Sequence, residues 1–138
     1  MPDLFKSLET SNVGDKQSLP TALTQLKYNS AGLVPAIAQD KATGEVLMLA
    51  WMNQEAIEET LRSGRVTYYS RSRQQLWCKG DTSGHTQHLE TMRIDCDGDA
   101  LLLSVIQRGP ACHTNRNSCF YLHVEAEQQQ IVVLSTQE

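Results

Sequence analysis

Long apolar runs are missing from this sequence, and with them any membrane-spanning helix. The longest run, Val46 to Met52, falls far short of the ~20 residues that a span needs. Met1 to Asp15 carries no apolar signal core, since Asp3, Lys6, Glu9 and Asp15 interrupt it, so a cytoplasmic protein with no membrane partner is expected. Basic charge is not in excess either. The 12 Lys and Arg against 16 Asp and Glu leave a formal net charge of −4, which argues against a nucleic-acid partner while leaving room for a local basic site. There is no internal repeat, no low-complexity tract and no close Cys-x2-Cys pair of the zinc-finger kind. The four cysteines are expected to be thiols or metal ligands, as suits a reducing compartment.

What is present is an ordinary globular composition. With 40% apolar and 20% charged residues in a chain of 138, one domain is expected, able to remove roughly 68% of its unfolded surface from water. Residues 1–30 are polar and weakly patterned, and are expected to form a loosely packed N-terminal extension to a domain over residues 31–138. Leu33 to Ala38 and Glu45 to Trp51 read as strands joined by a turn around Asp40 to Gly44. Asn53 can cap a short helix with Ala56, Ile57 and Leu61 on one face and Gly64 as its stop. Met52 and Ile57 can form a hydrophobic staple at its start. Val66 to Ser70, Gln75 to Lys79, His85 to Ile94, Ala100 to Gln107, Cys119 to Val124 and Gln130 to Leu134 are further expected strands. One short helix against many strands predicts an α+β fold of mainly antiparallel sheet.

The densest chemistry lies in Asp95-Cys96-Asp97-Gly98-Asp99. Asp97-Gly98 between Ile94 and Leu101 fits a two-residue hairpin turn, which leaves Asp95, Asp99 and the cysteine unaccounted for. Carboxylates so close together also suit a hard cation such as magnesium. They do not form an EF-hand, whose sixth and twelfth positions here hold Ala100 and Ile106. On the residues alone the turn and the metal site both stay open. Cys96, Cys112 and Cys119 have a Cys-x15-Cys-x6-Cys spacing. Three thiolates would leave a tetrahedral zinc one open position for water, and buried structural thiols fit the spacing equally well. Cys78 reads as a packing residue in a strand. His113 is a candidate proton carrier or a structural histidine.

A basic segment follows the first half of the chain. In a strand, Arg71 and Arg73 would share a face and could grip one phosphate while Lys79 meets another. The loop from Gly80 to Gly84, with Thr82 and Ser83, offers donors that a phosphate can approach closely. A solvated hairpin accounts for the same residues. A Walker loop does not, because its Gly-x4-Gly-Lys order is absent.

Val34-Pro35-Ala36-Ile37-Ala38-Gln39-Asp40, Val46 to Asn53, Ser70 to Arg73, Leu76-Trp77-Cys78-Lys79-Gly80-Asp81-Thr82-Ser83-Gly84, Asp95 to Asp99 and Cys112-His113-Thr114 together resemble the phosphoribosyl-AMP cyclohydrolase family in order and spacing, from about Gly32 to Tyr121. The resemblance implies a hydrolase of histidine biosynthesis that opens the adenine ring of phosphoribosyl-AMP at its N1–C6 bond with zinc-activated water. It implies an intertwined homodimer with one zinc per subunit, held by Cys96 of one subunit and by Cys112 and Cys119 of the other. It further implies magnesium at Asp95, Asp97 and Asp99, and His113 close to the chemistry. Arg71, Arg73, Lys79, Thr82 and Ser83 are the expected phosphate-binding residues. Asp81 departs from the glutamate of the Lys-Gly-Glu-Thr-Ser-Gly form. The short stretch after Tyr121 cannot hold the pyrophosphohydrolase domain fused to many relatives, so a stand-alone enzyme is expected.

Two rival readings can be told apart from this one. His88-Leu89-Glu90 satisfies the His-x-Glu half of a nucleobase deaminase, but Ala111 separates Pro110 from Cys112 and the next cysteine is Cys119, so the Pro-Cys-x2-Cys half fails. Released ammonia would mark a deaminase. A zinc-stabilised binding module would hold phosphorylated purines without turnover and keep its zinc fully coordinated by protein.

Overall fold

Apolar residues at every second position decide the sheet. In the computed structural model, which describes residues 3–137, Val34, Ala36 and Ala38 of β1 (Val34–Asp40) are buried. Leu101, Leu103 and Val105 of β6 (Leu101–Gln107) are buried in the same rhythm. β1 pairs antiparallel with β2 (Val46–Met52) and β6 pairs antiparallel with β5 (Gln87–Ile94), giving the order β2-β1-β6-β5. The structure is mixed α and β with mainly antiparallel pairing. The exception is central: β1 and β6 run parallel, with Ala36 opposite Leu101. A parallel pair requires a long crossover, and here it contains β2, α3 (Gln54–Ser63), the hairpin of β3 (Thr67–Ser70) and β4 (Gln75–Cys78), and β5.

The helix α3 forms as its sequence dictates. The Asn53 side chain accepts from the Ala56 N–H at 2.8 Å, and Gly64 closes the helix at φ 78, where a side chain would be strained. Met52 and Ile57 are fully buried, a contribution of about 1.5–3 kcal/mol each by apolar burial.

The N-terminal segment corrects the expectation of loose packing. It adds two helices to the single one expected, α1 (Leu4–Ser7) and α2 (Leu19–Gln25), with a 3-10 turn at Leu8–Thr10. Phe5, Leu23 and Leu26 enter the core. Leu19, Leu23 and Leu26 do recur at the i, i+4, i+7 spacing of a helix with Ser18 as its cap, a signal that was present but short, whereas Phe5 stands apart from them.

Two connections also differ from expectation. Ile94 pairs with Leu101, so β5 and β6 are joined by residues 95–100 rather than by a two-residue turn, and the loop is closed by an Asp95 N–H to Ala100 O bond of 3.0 Å. The C-terminal hairpin consists of β7 (Leu122–Glu125) and β8 (Gln130–Val133). It starts later than Cys119 because the Cys119 and Phe120 amides bond to Leu47 O of β2 and to Ser118 Oγ instead of to β8. Among the described residues no helix is long and apolar enough to cross a membrane.

Candidate functional site

The loop after β6 brings two of the expected ligands together. Cys112 donates its N–H to Arg116 O at 3.0 Å and accepts at its own carbonyl from Asn115, which takes a left-handed φ of 63 that asparagine tolerates. The loop is pinned to the edge strand β2 by Cys119 N–H to Leu47 O at 2.7 Å and Ser118 Oγ to Val46 O at 2.8 Å. This sets the buried Cys112 beside the exposed Cys119. Burial disfavours the Cys112 thiolate, yet the Thr114 hydroxyl 3.0 Å from Sγ, the Thr114 amide and the Cys119 thiol together hold its pKa below the ordinary thiol range. Cys119, desolvated and next to the Cys112 charge, is pushed up to about 11. The two shifts run in opposite directions, as expected of sulfurs close enough to feel one another, and two adjacent sulfurs are a soft donor set of the kind a metal such as zinc can use.

Lys79 stands at this pair and not at the basic cleft. It is buried, and its Nζ donates to Ala111 O at 2.7 Å. Desolvation lowers its pKa while the nearby Cys119 and Cys112 charges act against that shift. His113 follows Cys112 on the loop surface.

Cys96 lies elsewhere. It precedes β6, whereas the Cys112–Cys119 loop leaves from the end of β6 and is fixed to β2. In the sheet β2 is separated from β5 by β1 and β6, three strand spacings or roughly 14 Å. Among the described residues the metal-sized group around Cys96 is Asp95, Cys96 and Asp97, all exposed, with donor atoms within 4.8 Å of one another. Asp95 Oδ1 accepts from the N–H groups of Asp99 at 2.9 Å and Ala100 at 3.3 Å. These bonds outweigh desolvation and lower the Asp95 pKa, whereas the hydrogen bond to Asp95 and the charges around it raise that of Asp99. Asp99 thus stands beside the group as a carboxyl whose ionisation the neighbouring Asp95 and Asp97 charges oppose. Exposed carboxylate oxygens next to a thiol are donors that a hard cation can use.

Arg71 and Arg73 are in the turn between β3 and β4, not in a strand. They still share a wall of one cleft of about 490 Å³, opposite Leu49, Ala50 and Trp51 of β2. The Arg71 guanidinium lies 5.0 Å from the Trp51 ring centre, a cation–π contact. Trp51, Tyr69 and Trp77 line this cleft and were not singled out from sequence. The available signal was an indole on either side of the arginines in an otherwise aromatic-poor chain. Leu47, which holds Cys119, precedes the cleft residues of β2 by two to four positions, roughly 7–13 Å along a strand. Thr82 and Ser83 are exposed and do not line the cleft. Their loop is shaped by Gly80, where a Cβ would lie 2.5 Å from the His85 backbone, and Asp81 pairs with Arg65 at 3.5 Å.

The family model of phosphoribosyl-AMP cyclohydrolase matches residues 48–121. A phosphoribosyl-AMP cyclohydrolase of Alkalilimnicola ehrlichii is 56% identical over 129 residues, covering 94% of this chain and 91% of the relative. Those of Ruegeria pomeroyi and Paracoccus denitrificans are 61% and 62% identical, covering 83% and 81% of this chain and 97% and 92% of their own lengths.

Proposed function

Since the chain belongs to the phosphoribosyl-AMP cyclohydrolase family, we propose that it adds water to C6 of the N1-ribosylated adenine of phosphoribosyl-AMP and breaks the C6–N1 bond. The product is phosphoribosylformimino-aminoimidazole-carboxamide ribotide, a step of histidine biosynthesis. No atom is released. The exocyclic nitrogen stays on C6 as the carboxamide, the water oxygen becomes its carbonyl, and N1 leaves C6 with a proton as part of the formamidine.

The observation that carries this reading is the Cys112–Cys119 pair pinned at one end of β2, with the arginine cleft further along the same strand. Zinc would be held by Cys112 and Cys119 with Cys96 of a second copy, and when bound it lowers the pKa of water towards ~7. Arg71 and Arg73 grip a phosphate of the substrate, and the indoles of Trp51 and Trp77 wall the cleft. His113 takes a proton from the attacking water or returns one to N1. Lys79, beside the thiols, offsets their negative charge. Asp95 and Asp97, with Asp99 beside them, would hold magnesium against the substrate's phosphates.

A homodimer is part of the proposal, because one chain keeps Cys96 apart from the other two thiols. The C-terminal hairpin supports it. Leu122 opposite Val133 and Val124 opposite Ile131 put four apolar residues on one face, all exposed in the single chain.

The test is to incubate the purified protein with phosphoribosyl-AMP and follow the ring-opened carboxamide by absorbance while assaying ammonia, which should not form. Cys112→Ala should lose zinc and activity together. Full activity in a demonstrably zinc-free variant overturns the zinc reading.

A further inference from the structure

The N-terminal segment is built against the backbone of the Asp95–Asp99 loop. The Phe5 ring fills the space over Gly98, so a methyl group there would run into it. Gly98 itself sits at φ 73. The Lys27 N–H donates to Gly98 O at 2.8 Å, and the Lys27 ammonium donates to Asp97 O. Asp3 joins these contacts: its Oδ2 is 2.9 Å from Lys27 Nζ while its Oδ1 accepts from Phe5 N–H at 3.0 Å and so caps α1. Two successive carbonyls of the loop, at Asp97 and Gly98, are thus tied to Lys27, and Asp95 Oδ1 ties the loop to itself through Asp99 and Ala100. The groups left outward are those of Asp95, Cys96 and Asp97.

From this we infer that residues 3–27 brace the metal loop, with Phe5 and Lys27 as positioning residues that hold the Asp95 and Asp97 carboxylates in place before a hard cation arrives. The inference rests on the proposed metal role of that loop. Holding ligands in place in advance removes ordering that binding would otherwise require.

Manganese(II), a hard cation visible by electron paramagnetic resonance, is the probe, titrated into the full-length protein at high salt. Phe5→Ala should weaken binding about tenfold, the lower end of what a lost supporting partner costs a metal site. Lys27→Met is the sharper test, since Lys27 is half-exposed and its removal spares the core. A cation beside the loop repels a metal, so by charge alone its loss would tighten binding, whereas loss of the brace weakens it. Weakening by about threefold or more, recovered in Lys27→Arg, is the expected result. Binding as tight as in the parent or tighter in Lys27→Met overturns the brace, whatever Phe5→Ala does. Asp97→Asn run alongside separates the two ideas: parent-like manganese binding in that variant removes the metal role of the loop itself.

Discussion

Gln87 carries an amide into the middle of the core, fully buried, and its partners explain how. Its Oε1 accepts from the Tyr68 hydroxyl at 2.6 Å and its Nε2 donates to Gln107 Oε1 at 2.9 Å. Gln87→Leu should cost about 1–3 kcal/mol, because it leaves the Tyr68 hydroxyl buried without an acceptor. Adding Tyr68→Phe should recover part of that loss, measured as non-additivity of urea unfolding free energies. Simple addition of the two losses would show that the pair is not coupled. On the Cys112–Cys119 loop, the proposed role of His113 as a proton carrier predicts that His113→Ala lowers kcat about 10²-fold with KM little changed. An unchanged kcat with a raised KM would make it a binding residue. Residue type drew attention to Cys112, Cys119, Asp95 and Asp97, but a hairpin turn and buried structural thiols accounted for them equally well, and only the family resemblance named them as ligands. The inward direction of Gln87 and Lys79 was not legible, because it is set by partners on other strands and loops, Tyr68 and Ala111 among them.

At the scale of elements, both ends of α3 were readable because its cap and its stop are local, but of its expected apolar face Leu61 is exposed and Thr60 is buried instead. The β5–β6 connection was not. Asp97-Gly98 is a sound local turn, but Asp95 spreads the loop by bonding to Asp99 and Ala100. The C-terminal hairpin is an element with little to rest on in a single chain, with Val124 at 70% and Ile131 at 62% exposure, and a lone two-stranded hairpin is marginal in water. Joint substitution Val124→Lys and Ile131→Lys should therefore shift the protein from dimer to monomer in sedimentation, with a fall in thermal midpoint. A dimer unaffected by two lysines on this face would place the interface elsewhere.

For the whole molecule, the proposed zinc site demands two chains. Cys96→Ala and Cys112→Ala homodimers should each be inactive, whereas co-refolding them at equal amounts should restore roughly a quarter of the sites, half of the dimers being mixed and half of their sites intact. Mass spectrometry identifies the mixed dimer and the ring-opening assay reads its activity. Mixed dimers without activity would rule out a shared site. Long-range organisation was the least legible level: neither the docking of Phe5 into the core nor the parallel pairing of β1 with β6 leaves a mark within any short window of sequence. That parallel pairing also sets a timetable for synthesis. On a ribosome, β1 and β2 emerge early and can form their hairpin, but the other edge of β1 has no partner until β6 has been translated. For about half of its elongation the nascent chain exposes an open strand edge, and the pairing that closes the long segment between Ala36 and Leu101 is of the non-local kind that forms slowly. The protein must complete its sheet late, near or after release, when an unfinished neighbour on the same message offers the same open edge.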